Sequence, residues 1–215
     1  MLRHDAHFVQ TDDLIAAHIA EGILRDSDVR ELDATYPALD SFEKVVVSNR
    51  VKRFQLSIQW LSRDGKPLDA AGRLSAVWAR LLDELDSERF IARLGAVVDR
   101  DLSTLPRDIG LFTHAKGEYI SMHHDEPEKA LTVVLYFNQD WPADGGGHFE
   151  VRVSHNPSTA PVQSLPPDAG TMIAFDSSVW HATSTVTTGR TLRAAVLEFW
   201  RERPAKTALN PSGEG

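Results

Sequence analysis

His123 and Asp125 stand two residues apart in the stretch Tyr119–Asp125, YISMHHD, at the end of a run that reads as a β-strand. Residues i and i+2 of a strand project to the same side, so an imidazole and a carboxylate there can converge on one ion. His181, far along the chain in FDSSVWHAT, is the candidate third ligand. Two imidazoles and one carboxylate leave half of an octahedral sphere open, the facial set that suits Fe(II). His-x-Asp alone recurs by chance, so its weight comes from the surrounding sequence. His124, between the two, points to the opposite side of a regular strand. His124 with a different carboxylate is the alternative ligand set.

The elements that must position these residues fall into two textures. Residues Asp12–Leu24 carry Leu14, Ile15, Ile19 and Ile23 on one helical face, with Thr11 or Asp12 as cap, and predict a helix. A short helix follows Asp26 or Ser27 and runs to about Thr35. Val45–Leu61 predicts two strands, because Phe54, Leu56, Ile58 and Trp60 alternate with Gln55, Ser57 and Gln59. Arg63-Asp64-Gly65-Lys66-Pro67 is a turn. A helix with Leu74, Val77, Trp78, Leu81 and Leu85 comes next, and Ser87 caps another through Phe90, Ile91 and Leu94. After Pro106 the pattern changes to short strands: Ile109–Thr113, Tyr119–His123, Leu131–Asn138, His148–Val153, Thr171–Phe175 and Thr191–Trp200. Strands at near-regular spacing behind helices predict an α+β protein, a jelly roll or β-sandwich backed by N-terminal helices.

Composition narrows the chemistry. The chain has 215 residues, 42% of them apolar and 25% charged, and fits one globular domain. Its net charge of −8 argues against a nucleic-acid binder that relies on a basic surface. With no cysteine, any metal must sit on His, Asp or Glu. The start MLRHDAHFVQTDD lacks an apolar leader and no window reaches membrane-spanning length, which predicts a soluble cytoplasmic protein. The expected division is one domain over 1–203, with helical support over about 1–105 and a β core over about 107–200. The residues 204–215 are read as a flexible tail.

Several landmarks occur in order: Gly117 six residues before His123, His123-x-Asp125, LTVVLYFNQDW (Leu131–Trp141), Gly146-Gly147, DAGTMIAFDSSVWH ending in His181, and a basic residue after Val186 and Gly189. In these, residues 107–200 resemble the Fe(II)/2-oxoglutarate-dependent dioxygenases, in particular the prolyl-4-hydroxylase-like branch. The resemblance implies a double-stranded β-helix (the cupin-like jelly roll) with Fe(II) on His123, Asp125 and His181. It also implies 2-oxoglutarate and O2 as cosubstrates. The far carboxylate of 2-oxoglutarate needs a buried cation, and Arg190 and Arg193 bracket the family's usual spacing. Strand alternation favours Arg193: the set Arg193, Ala195, Leu197, Phe199 is apolar after the arginine, whereas the other set ends in Glu198, a poor interior residue. Tyr136 matches the family tyrosine that donates to the same carboxylate, and Thr132, on the same strand face, lines the pocket. Where many relatives carry a tyrosine nine residues before the first metal histidine, this chain has His114, so the lining of its cosubstrate pocket differs.

The expected activity is hydroxylation of an unactivated C–H in a small molecule, amino acid or peptidyl residue. Asp125 favours hydroxylation over halogenation, because halogenases of the family replace this carboxylate with a small residue. A non-catalytic cupin-like metal-binding or sensor protein with the same ligands is the alternative, and a metal-dependent hydrolase or isomerase a further one. The expected partner is a small molecule or peptide, with no nucleic acid and no membrane.

Overall fold

The computed structural model describes residues 1–202 except His4, Asp13, Leu14, Arg50, Val51 and Pro157. The expected tail over 204–215 lies outside the described residues. In chain order the elements are β1 (Val9–Asp12), β2 (Ile15–Ala20), α1 (Asp26–Ala34), β3 (Glu43–Ser48), β4 (Arg53–Arg63), β5 (Lys66–Pro67), α2 (Ala76–Leu85) and α3 (Glu88–Val97). They continue as β6 (Arg107–His114), β7 (Tyr119–His123), β8 (Lys129–Tyr136), β9 (Phe149–Arg152), β10 (Gln163–Leu165), β11 (Met172–Phe175), β12 (Trp180–Thr183) and β13 (Leu192–Trp200).

The strands run β1-β2-β11-β8-β13-β6-β4-β7-β12-β9-β10, with β3 and β5 also on β4. The sheet turns over at β4. Its Ser57–Ser62 segment pairs with β6, while Phe54 and Gln55 pair with β7. This brings β7, β12, β9 and β10 over β8, β11 and β13, so that the Phe149 ring of β9 lies 5.1 Å from Phe175 of β11. The result is the expected double-stranded β-helix, with an inner cluster that includes Ile19, Tyr136, Phe149, Val151, Ile173, Phe175, Leu192 and Ala194.

A second core lies on the other face of the larger sheet. Trp78, Leu81, Leu85, Phe90 and Leu94 of α2 and α3 pack against Leu131, Val133, Leu135, Ala195, Leu197 and Phe199. Burying each such side chain contributes about 1.5–3 kcal/mol. Trp78 also donates its indole N–H to the Leu32 carbonyl at 3.1 Å, tying α2 to α1. The α3 start is capped as expected, the Ser87 hydroxyl accepting from Phe90 N at 3.2 Å.

Two expectations fail here. The segment expected as a helix from Asp12 forms β1 and β2 instead, and Leu14 lies outside the described residues. Ala17 and Ile19 alternate onto the inner cluster while β2 pairs with the edge of β11. The spacing of two that serves a strand is also contained in the helical i, i+4 spacing, and tertiary pairing decides between them. The face of β13 is also reversed. Ala195, Leu197 and Phe199 meet the helices, and Leu192 and Ala194 face the barrel.

Candidate active site

The two histidines are held as a directly opposed cross-strand pair. His181 of β12 is the register partner of His123 of β7, so both rings leave the same face, with centroids 4.2 Å apart. Each Nδ1 lies 2.9 Å from a backbone carbonyl, Ser121 O for His123 and Val179 O for His181. A carbonyl only accepts, so each Nδ1 carries the proton and each Nε2 is left as a lone-pair donor. The His181 ring is slotted between Phe175, at 4.5 Å, and Phe149, at 5.5 Å. Burial, with His123 beside it, pushes His181 down to about 3, so it is neutral at ordinary pH.

Asp125 leaves the strand with its N–H donating to Ser177 O at 3.0 Å. Its Oδ2 accepts from the Thr132 hydroxyl at 2.6 Å. Its Oδ1 is 3.7 Å from His123 Nε2, 3.5 Å from Lys129 Nζ and 3.9 Å from Lys52 Nζ. One donor atom from each of His123, Asp125 and His181 lies within 4.8 Å of the others, and all three residues are buried. Burial works to raise the Asp125 carboxyl, but the Lys129 ammonium, with Lys52 behind it, outweighs burial and holds it well below the usual carboxylate range.

The ion pair behind Asp125 was not foreseen. Lys129 Nζ donates to Glu198 Oε1 at 2.7 Å, with both side chains almost wholly buried. Burial works to lower the Lys129 ammonium, yet Glu198 and Asp125 raise it. Glu198 therefore does sit inside the barrel, because a buried carboxylate with a buried partner is admissible. Its supposed unsuitability is what misassigned the inward face of β13. A lysine four residues after the aspartate was the available signal.

The cosubstrate residues expected from the sequence separate into two groups. Tyr136 lies in the inner cluster, its hydroxyl raised by burial. His114, at 4% exposure, is opposite Leu192 across β6 and β13, on the same inner face. Thr132 is engaged with Asp125 itself. The arginines are elsewhere. Arg193 is a correction: it points to the helices, bonded to Asp33 Oδ1 at 2.6 Å and lying over the Tyr36 ring at 4.7 Å. Arg190 is exposed and donates to the carbonyls of Gln139 and Asp140. His124 is also exposed and sits against Trp180, with ring centroids 4.8 Å apart.

Residues 109–201 match the family model of the 2OG-Fe(II) oxygenase superfamily. This stretch belongs to that superfamily. The oxygenase fold of the chain is similar to a prolyl-4-hydroxylase of Pseudomonas putida at TM-score 0.66, with 18% identity over 90% of this chain and 97% of that one. It is also similar to a prolyl hydroxylase of Trichoplax adhaerens in complex with a hypoxia inducible factor peptide fragment (TM-score 0.60, 17% identity, 86% and 84% covered). HygX of Streptomyces hygroscopicus, with nickel, 2-oxoglutarate and hygromycin B bound, gives TM-score 0.53 and 12% identity over 87% and 84%. At these identities the likeness is one of fold. No curated protein matches the sequence.

The matched stretch is thus that of a 2-oxoglutarate-dependent oxygenase, whose cofactors are Fe(II), 2-oxoglutarate and O2. The donor set fits Fe(II): two imidazole Nε2 atoms, that of His181 on a neutral ring, and one ionised carboxylate, buried and pre-oriented. The fit to 2-oxoglutarate is partial. Tyr136 is in place, whereas neither expected arginine faces the barrel. Among the described residues no helix is long and apolar enough to cross a membrane.

Proposed function

We propose that His123, Asp125 and His181 hold Fe(II), and that the chain hydroxylates an aliphatic C–H of a small molecule or a peptidyl residue. The observation that carries this reading is the opposed pair His123–His181 with both Nδ1 atoms tied to carbonyls and Asp125 beside them. Bound together, the iron and 2-oxoglutarate supply the oxidising chemistry, O2 and the 2-oxo acid being consumed as succinate, CO2 and the hydroxylated product form. The chain's own part is positioning. The Ser121 and Val179 carbonyls fix the two imidazole planes, the Thr132 hydroxyl fixes one carboxylate oxygen, and Phe149 and Phe175 keep water from His181. Tyr136 donates to the cosubstrate from the inner face of β8.

Structural relatives hold a peptide in one case and hygromycin B in another, which supports a peptide or small-molecule substrate here. A single oxygenase domain extending to about residue 203 accommodates both cores, since the helices cover the outer face of the sheet that carries the site. The test is a panel of amino acids, peptides and small metabolites with Fe(II) and 2-oxoglutarate, read by mass spectrometry. A gain of one oxygen matched by succinate supports the reading. Uncoupled or absent succinate formation across Fe(II)-loaded protein contradicts it.

A further inference from the structure

The 2-oxo acid of this reading is a dianion, and iron neutralises only its chelating end. Tyr136, read above as the donor to the far carboxylate, lies in an apolar cluster, where an unpaired charge is costly. No permanently charged side chain described there meets it. Arg193 is spent on Asp33, Arg190 lies on the surface, and Lys52 and Lys129 crowd Asp125.

One buried polar side chain on that face is unspent. His114 is 4% exposed, and neither of its ring nitrogens has a hydrogen-bond partner among the described residues. Leaving a buried polar atom unpaired costs on the order of 1–3 kcal/mol, so two on one ring call for an explanation. Its placement is set by register. His114 is opposite Leu192, and Tyr136 is opposite Ala194, on the two sides of β13. Leu192 and Ala194 both face inward, so His114 and Tyr136 share that face. They are roughly 10 Å apart across the strands and roughly 7 Å along them, a span that a tyrosine and an imidazole can close through one carboxylate.

We propose that His114 and Tyr136 together hold the far carboxylate of 2-oxoglutarate, His114 taking one proton from solvent as the cosubstrate binds. This rests on the cosubstrate reading above. The free site keeps the ring neutral, since burial lowers it to about 4. Glu118, buried beside it and held by Lys44 and by Ala115 N, opposes that shift and favours the imidazolium. From β8 the titratable group on that face is Tyr136, and β13 presents only the apolar Leu192 opposite the ring. A bound carboxylate supplies the missing counter-charge, so proton and dianion enter together.

The experiment is anaerobic calorimetry of 2-oxoglutarate binding to Fe(II)-loaded protein in two buffers of different ionisation enthalpy. Its control is 2-oxopentanoate, which has a methyl group in place of the far carboxylate. The expected result is uptake of about one proton per 2-oxoglutarate, none for 2-oxopentanoate, and affinity falling about tenfold per pH unit from pH 6 to 8. His114→Gln should abolish the uptake and flatten the pH profile, while Arg190→Ala leaves both unchanged. Proton-free, pH-independent binding by the wild-type protein overturns the proposal without needing any variant, as does loss of binding in Arg190→Ala with His114→Gln intact. Binding of neither acid would remove the cosubstrate reading itself, and this inference with it.

Discussion

Arg193 donates to Asp33 across a 2.6 Å bond that ties β13 to α1, and its guanidinium lies 4.7 Å from the centre of the Tyr36 ring. The residue that spacing selects as a cosubstrate clamp is a clasp between sheet and helix. Both side chains are about a third exposed, so the ion pair is partly screened. Arg193→Ala is expected to cost about 1 kcal/mol of stability, including the lost ring contact, and to leave 2-oxoglutarate affinity unchanged. Urea unfolding and an anaerobic cosubstrate titration on the same variant measure the two. A large loss of affinity with unchanged stability would return Arg193 to the site.

Thr132→Val keeps the shape of the side chain and removes the hydroxyl that holds Asp125 Oδ2. Metal affinity is expected to fall about 10- to 100-fold with the fold intact, as for other groups that orient a ligand. Competition of Fe(II) or Mn(II) against a chelating dye measures it. Unchanged affinity would mean that the carboxylate is oriented by other contacts.

The Lys129–Glu198 pair should show the asymmetry of buried charges. Glu198→Gln alone removes the nearest counter-charge but leaves the Lys129 ammonium with Asp125 at 3.5 Å and Glu126 at 3.3 Å, and is expected to destabilise by about 1.5–3 kcal/mol. Lys129→Met with Glu198→Leu removes both charges and should recover much of that loss. If the double variant is as unstable as the single one, the pair contributes more than mutual neutralisation.

Stability of the metal-free protein should fall with acid earlier than its carboxylates require. His114 in the folded state is pushed down to about 4 from an ordinary value near 6.5. Between those values the unfolded chain binds a proton that the folded chain does not. Stability is therefore fully present above about pH 6.5, is lost progressively as pH falls toward 4, and loses no more from this group below that. The loss is up to ~3 kcal/mol at one pKa unit per 1.36 kcal/mol. Thermal melts of wild-type and His114→Gln protein at pH 7.5 and 5 should differ in slope, the variant losing less.

Much of this was legible from residue types and spacing. The same-face placement of His123 and Asp125 and the helices at Ala76–Leu85 and Glu88–Val97 follow from patterns of two and 3.6, which depend on local sequence, whereas His181 came from the family resemblance. What was not legible depends on partners distant in the chain. β2 is a strand because β11 offers it an edge. β13 turns Arg193 outward because Glu198, five residues on, finds Lys129 inside. Thr132 bonds Asp125 across a turn that spacing alone does not close. The short strands β10 and β12 carry too few residues to show an alternation, although β12 brings His181 to the site.

The central claim is that one iron sits among His123, Asp125 and His181. Crystals of Fe(II)-loaded protein grown without oxygen, measured above and below the iron absorption edge, test it most directly. The account predicts a single anomalous peak bonded to the Nε2 atoms of His123 and His181 and to an oxygen of Asp125, and no such peak in His181→Ala crystals. A peak at another cluster of side chains, or one that persists undiminished in His181→Ala, would contradict it.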